Sequence, residues 1–241
     1  MEIVRLDCVD STNSWVASNE TDLASPSLVW SQAQTQGRGQ RGNSWESEPG
    51  KNITASLIFH PENFPAIRQF EISEAVALAI VDFLASYGVE AHIKWPNDIY
   101  VGDKKICGIL VEHVVTGKNI TRTIAGVGIN INQEEFKSDA PNPVSLLQIS
   151  GRQHDLEKAI ENLALRFDRY LGYLAAGKDL HEAFKAKLWR KDNAMHGFID
   201  RKSNERIEAA IHDVSPLGIL SLSTRKGDIR TYAFKEVEYI L

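Results

Sequence analysis

Two lysine-bearing stretches lie close together in the chain: Lys94-Trp95-Pro96-Asn97-Asp98, then Lys104-Lys105-Ile106-Cys107-Gly108. A lysine near a strand end, a proline-fixed turn, an Asn-Asp pair and a hairpin returning two lysines bring cations and an acid toward one point. That grouping suits a cradle for phosphate and carboxylate, with Asp98 available to a magnesium ion. The plainer reading of Asn97-Asp98 is a turn whose side chains bond their own backbone. For Lys104-Lys105 it is a solvated hairpin tip.

Gly37-Arg38-Gly39-Gln40-Arg41-Gly42 spells G-x-G-x-x-G. The segment that follows, NSWESEPGKN, is a loop holding Pro and Gly rather than a helix N-terminus, so the dinucleotide fingerprint fails on context. Glycines that permit close backbone approach, beside two guanidinium forks, suit instead a loop that wraps an anion; a solvated connector is the plainer reading. Asp10-Ser11-Thr12-Asn13 reads as a helix N-cap cluster, or as a row of short donors and acceptors for an uncharged polar group such as a ureido ring. Gly126-Val127-Gly128-Ile129-Asn130-Ile131 puts glycines inside a strand, which marks a bulge or a close ligand approach. There Asn130 reads a base edge or faces solvent. No Ser-His or Cys-His arrangement offers a nucleophile, and Cys107 reads as a small strand filler.

The elements that must position these residues are mostly strands. Leu28 to Ala33, Ile53 to Phe59, Ala91 to Trp95, Ile106 to Val115 and Thr121 to Ile131 are rich in Ile, Val and aromatics. Tight hairpins are expected at Val101-Gly102-Asp103-Lys104 and Thr116-Gly117-Lys118-Asn119. Three- and four-residue spacing of Ile72, Val76, Ile80, Phe83, Leu84 and Tyr87 predicts a helix stopped by Gly88. A second helix is expected from an N-cap at Asp155 through Leu174, and a third over about Leu180 to Trp189. Strands enclosing one helix, then a helical pair, argue for an α+β fold with a mixed or antiparallel sheet rather than a doubly wound one. After Trp189 only short strands follow: Gly197 to Asp200, Ile207 to Val214, Leu217 to Ser223 and Thr231 to Tyr239. They predict a small β-barrel. The expected division is 1–192 and 193–241.

The chain has 241 residues, 27 Lys and Arg against 32 Asp and Glu, and a net charge of −5. An acidic chain makes a poor generic binder of phosphate backbones, so no DNA partner is expected and any anion must be met by a few local cations. The C-terminal strands carry seven Lys and Arg against seven Asp and Glu, which denies them the same role. Two cysteines cannot build a disulfide framework, and no signal-like or membrane-spanning run is present, so a cytoplasmic protein without membrane attachment is expected.

Taken together and in this order, DSTN, QTQGRGQRGNSW, KWPNDIYVGDKKICGILVE and GVGININ resemble the biotin protein ligases. The likeness covers residues 7 to 132 in motif detail and the remainder in layout. It implies a class II synthetase-like catalytic domain of the biotin/lipoate ligase kind over 1–192 and an SH3-like barrel over 193–241. The implied reaction activates biotin with ATP and Mg²⁺ as biotinyl-5′-AMP, then passes biotin to a lysine of a biotin carboxyl carrier domain, with no tightly bound cofactor. Ser11, Thr12 and Asn13 would hold the ureido head, with Gln34 beside them and Gly108 and Gly126 lining the same site. Arg38, Gly39 and Gln40 would belong to the loop closing over biotin and the adenylate. Lys105 would contact the biotin carboxylate and α-phosphate. Trp45 would pack on adenine beside Asn130, with Arg41, Lys94 and Asn97 near the phosphates and Asp98 on Mg²⁺. Arg38, Lys94 and Lys105 would carry the catalysis. The resemblance admits a homodimer through a sheet edge.

Two departures matter. Where the family loop most often reads G-R-G-R, the fourth position here is Gln40, which implies weaker electrostatic retention of the adenylate. The DSTN motif begins at residue 10, which leaves no room for the N-terminal helix-turn-helix of the family's repressors; ligase activity without DNA binding is the expectation. A lipoate-type ligase shares the fold and chemistry and is the nearest rival. A non-catalytic biotin-binding module is the other, and the joint presence of Arg38, Lys94 and Lys105 weighs against it.

Overall fold

The structure, a computed structural model, describes residues 1–40, 43–138 and 140–241. Among these the chain forms β1 (Glu2–Val9), α1 (Thr12–Ser18), β2 (Ser27–Gln34), β3 (Ile53–Phe59), β4 (Phe64–Pro65), α2 (Gln69–Ala85), β5 (His92–Lys94), β6 (Asp98–Val101), β7 (Lys104–Thr116) and β8 (Asn119–Ile129). There follow α3 (Leu146–Ser150), α4 (Leu156–Ala175), α5 (His181–Lys185), β9 (His196–Asp200), β10 (Glu205–Val214), β11 (Leu220–Thr224), β12 (Ile229–Tyr232) and β13 (Val237–Tyr239). The first sheet runs β1-β2-β3-β8-β7-β6-β5, with β4 paired to β8; the second runs β12-β11-β10-β9-β13. Only β1 and β2 are parallel within the first sheet, joined through α1, and the rest is antiparallel. The α+β reading holds.

Burial explains the order. β3 is buried at every position, as a mid-sheet strand covered on both faces must be. On one side lies α2, apolar around most of its surface, with α4 packed outside it through Ile160, Leu163 and Phe167. Asp155 caps α4 by accepting from the backbone N–H of Glu157 and Lys158. Gly102 and Gly117, at φ +56° and +63°, supply the positive φ that the two-residue hairpins β6–β7 and β7–β8 need at their first loop position. One continuous apolar cluster includes residues of both sheets, from Leu28 and Phe83 to Phe198, Leu222 and Tyr239.

Several expectations shift. β1 carries Arg5 and Asp7 on an edge and its residues are largely exposed, so alternation alone did not mark it. The third helix is shorter than the spacing predicts: Ile93 N–H donates to Lys187 O and Trp189 N–H to Ile93 O, so pairing with β5 takes these residues out of α5. The expected strand Thr231 to Tyr239 is two, β12 and β13, parted by a turn in which Glu236 N–H donates to Ala233 O. β11 begins at Leu220 rather than Leu217, because Gly218 turns at φ +80°. No described helix is long and apolar enough to cross a membrane.

Candidate active site

β8 works as a ruler. Alternation places Gly126 and Gly128 on one face of the strand, about 7 Å apart, and Asn130 two residues further on. Ser56 of β3 lies opposite Gly126, and Gly108 of β7 lies opposite Gly128. A cavity of about 750 Å³ opens here, lined by every expected site residue that is described: Ser11, Thr12, Asn13, Gln34, Arg38, Gly39, Gln40, Trp45, Lys94, Asn97, Asp98, Lys105, Gly108, Gly126 and Asn130. Arg41 lies outside the described residues.

The end near Gly126 is neutral and tightly bonded. Parallel register pairs Val9 with Gln34, so the chain leaving β1 delivers residues 10–13 beside the end of β2. Thr12 donates to Gln34 Oε1 through its backbone N–H (2.8 Å) and its hydroxyl (3.1 Å). Ser56 Oγ meets Asn13 Oδ1 at 2.6 Å and Thr12 Oγ1 at 2.8 Å. Asn13 Nδ2 donates to Glu112 Oε2 (2.7 Å), and the other oxygen of Glu112 accepts from Arg38 Nη2 (2.8 Å). Ser11 occupies the N-cap position of α1, but its side chain makes no capping hydrogen bond. Glycine is required at 126: a Cβ there would overlap the Asn13 carboxamide, its carbon only 2.9 Å away.

Midway, the Trp45 indole rests on the facing pair Gly108 and Gly128. A Cβ at Gly108 would lie 2.9 Å from the ring, and one at Gly128 would overlap it. The strand glycines therefore mark close approach rather than a bulge. Trp45 Nε1 is buried without a partner, and the Lys105 ammonium lies 5.6 Å from the ring centroid.

The far end is charged. Lys105 Nζ pairs with Asp98 Oδ1 at 2.7 Å and Lys94 Nζ with Asp98 Oδ2 at 3.8 Å, so one carboxylate is shared by two ammonium groups. Burial pushes the Lys94 ammonium below its ordinary 10.5, reinforced by Lys105 and Arg190 and opposed by Asp98. Burial likewise raises the Cys107 thiol far above its usual range, which keeps it an inert filler. Asn97 bonds neither its own backbone nor a free surface: its Nδ2 donates to Ile109 O at 2.6 Å, tying the turn to β7. Asn130 Nδ2 donates to Val144 O at 3.1 Å, while its Oδ1 is buried with no partner. Both oxygens of Asp98 are committed to lysines, and no group of three His, Cys, Asp or Glu suited to a metal occurs among the described residues. This donor set does not fit a protein-held magnesium ion.

Sequence reasoning missed the cover of the cavity. Glu46 accepts from the backbone N–H groups of Lys137 and Ser138, both at 2.8 Å, and from Gln133 Nε2 at 3.3 Å. Phe136 and Ser138, beside those bonds, line the cavity, as does Asn142. Burial acts to raise the Glu46 carboxyl, but its bonds with Ser138 and Lys137 outweigh that and hold it below 4.5. Glu112 was also missed, although alternation from Gly108 through Leu110 puts it on the cavity face. Tyr239, from the second sheet, lines the cavity too.

A family model for the biotin/lipoate A/B protein ligases matches residues 6–130. The bifunctional ligase/repressor BirA of Bacillus spizizenii is 31% identical over 217 residues, 86% of this chain and 64% of that protein. The chain thus spans about two thirds of the length of its Bacillus relative. The biotin–[acetyl-CoA-carboxylase] ligase of Paracoccus denitrificans is 31% identical over 172 residues, 68% of this chain and 71% of that one. A solved structure of biotin protein ligase from Aquifex aeolicus in complex with biotin and ATP matches over 99% of both chains with a TM-score of 0.80; at 21% identity the likeness is one of fold. The chain belongs to the biotin/lipoate A/B protein ligase family.

Proposed function

We propose that the chain is an ATP-dependent biotin protein ligase. It joins biotin to AMP and then transfers biotin to a lysine of a biotin carboxyl carrier domain. The observation that carries this reading is the polarity of one cavity. A neutral network of Thr12, Asn13, Gln34 and Ser56 sits at one end, and two lysines at the other, with a glycine floor between them. Biotin divides the same way, an uncharged ureido ring joined by an aliphatic chain to a carboxylate. Lipoate offers the neutral end only a dithiolane, which has no donor or acceptor to exchange with those side chains.

In the first step a biotin carboxylate oxygen attacks the α-phosphorus of ATP, a P–O bond forms and the bond to pyrophosphate breaks. Like charges meet there, so fixed cations lower the barrier. Lys105 and Lys94 supply them, and Arg38 joins them once its guanidinium leaves Glu112. Trp45 packs on the adenine, and Asn130, whose Oδ1 is open, lies beside the base. In the second step the carrier's lysine amine attacks the acyl carbon, the C–O bond of the mixed anhydride breaks, and AMP leaves. The loops tied by Glu46 keep water from the anhydride. Magnesium accompanies the triphosphate as part of the substrate. The 1–192 and 193–241 division, a homodimer through a sheet edge and a cytoplasmic setting complete the proposal; both cysteines are free.

The test is to incubate the protein with ATP, Mg²⁺ and either biotin or lipoate, following pyrophosphate release and label on a carrier domain. Release and transfer with biotin alone is expected. Release with lipoate alone would overturn the substrate, and release with neither would overturn the reaction.

A further inference from the structure

Tyr239 lies on β13, the last strand of the second sheet, yet it borders the charged end of the cavity. Its ring centroid is 5.0 Å from Lys94 Nζ, and the Tyr100 ring faces the same ammonium at 5.3 Å. With Asp98 Oδ2 at 3.8 Å, the ammonium is held by two aromatic faces and one carboxylate. Such cages stabilise a cation most where water is excluded, and the Lys94 side chain is only 17% exposed.

Neither ring is free to leave. Trp189 packs against both, at 4.9 Å from Tyr100 and 5.6 Å from Tyr239, and Phe198 backs Tyr239 at 4.9 Å. The next residue is clamped through its main chain: Ile240 N–H donates to Gly197 O at 2.9 Å, and Ile240 O accepts from Arg190 Nη1 at 2.8 Å. The Tyr239 hydroxyl is buried and has no partner, so this position contributes a ring face rather than a hydrogen bond.

We propose that Tyr239 is a positioning residue for adenylation: paired with Tyr100, it fixes the Lys94 ammonium at the charged end of the cavity, so the second sheet sets how the site meets ATP. The proposal rests on the ligase reading above.

The experiment measures biotin-dependent pyrophosphate release by the full chain, varying ATP and biotin separately. Tyr239→Leu raises KM for ATP about ten-fold, the loss of one desolvated cation–π contact, and leaves KM for biotin within about two-fold. Tyr239→Phe restores KM for ATP to within about two-fold of the parent, since the ring remains. In a Lys94→Met background, Tyr239→Leu adds no further loss. An unchanged KM for ATP in Tyr239→Leu, equal impairment of Tyr239→Phe, or a full additional loss in the Lys94→Met background would each overturn the proposal. Should Tyr239→Leu fail to fold, Tyr239→Met, which fills the space without a π face, carries the same expectations. A parent protein that releases no pyrophosphate would sink the ligase reading itself; an active parent indifferent to these variants sinks only the role of Tyr239.

Discussion

The two ends of the cavity are built on opposite principles. At the neutral end the side chains of Thr12, Asn13, Gln34 and Ser56 bond one another, and the polar groups are satisfied before any ligand arrives. At the charged end two ammonium groups share one carboxylate, and Lys94 is held by ring faces besides. A closed hydrogen-bond network defines shape and selects by fit, because any misplaced group leaves a buried partner unpaired. Excess positive charge is a standing attraction that acts on whichever phosphate is presented. On the proposed reading, specificity resides at the first end and reactivity at the second.

The largest expected effect removes charge. Lys105→Ala should lower pyrophosphate release about 100- to 1,000-fold, as loss of a fixed charge at a developing anion does, with biotin binding by calorimetry weakened far less. Equal losses in both would abolish the contrast between the ends. Gly126→Ala should act in reverse. Its Cβ displaces the Asn13 carboxamide, so biotin affinity falls about ten-fold while KM for ATP holds. Glu112→Gln probes the link between the ends, since one carboxylate holds Asn13 and Arg38. KM for biotin and kcat should both worsen, by about three-fold each, in the range of a half-exposed pair plus one hydrogen bond.

Alkaline titration sharpens the contrast. As pH rises through the lowered Lys94 value, the ammonium loses its charge and KM for ATP climbs, whereas biotin affinity stays flat. Stability moves the other way: between that lowered value and 10.5 the unfolded chain binds the proton that the folded chain has released, so unfolding costs more as pH rises. Urea midpoints across this range check the sign. The smallest effect is at Gln40, which lines the cavity. Gln40→Arg should reduce adenylate escape and labelling of bystander lysines about two- to three-fold, the scale of one exposed charge. Unchanged labelling would remove Gln40 from any part in retention.

What the sequence disclosed follows the same divide. Local signals carried the hairpins at Gly102 and Gly117, the cap at Asp155 and the four motifs, because each depends on neighbours in the chain. Features that depend on remote partners stayed hidden. α5 ends early because β5 captures Lys187 and Trp189, and nothing within residues 180–189 encodes that. Trp95 sits inside the lysine motif, yet its Nε1 donates to Gly218 O in the turn before β11, making it a bolt between the sheets rather than part of the cavity. Tyr239 reaches Lys94 from 145 residues further along the chain, and no spacing rule spans that distance.

Glu46 turns two covers into one. Its carboxylate follows Trp45 and the Gly-Arg loop on one side and binds the 137–138 backbone on the other, so the two segments cannot part without breaking the same two contacts. On the proposed reading, a mixed anhydride beneath them is released when that shared fastening opens. Its leakage should follow one exponential rather than two, with a rate constant that rises as acid protonates Glu46 and loosens the shared fastening.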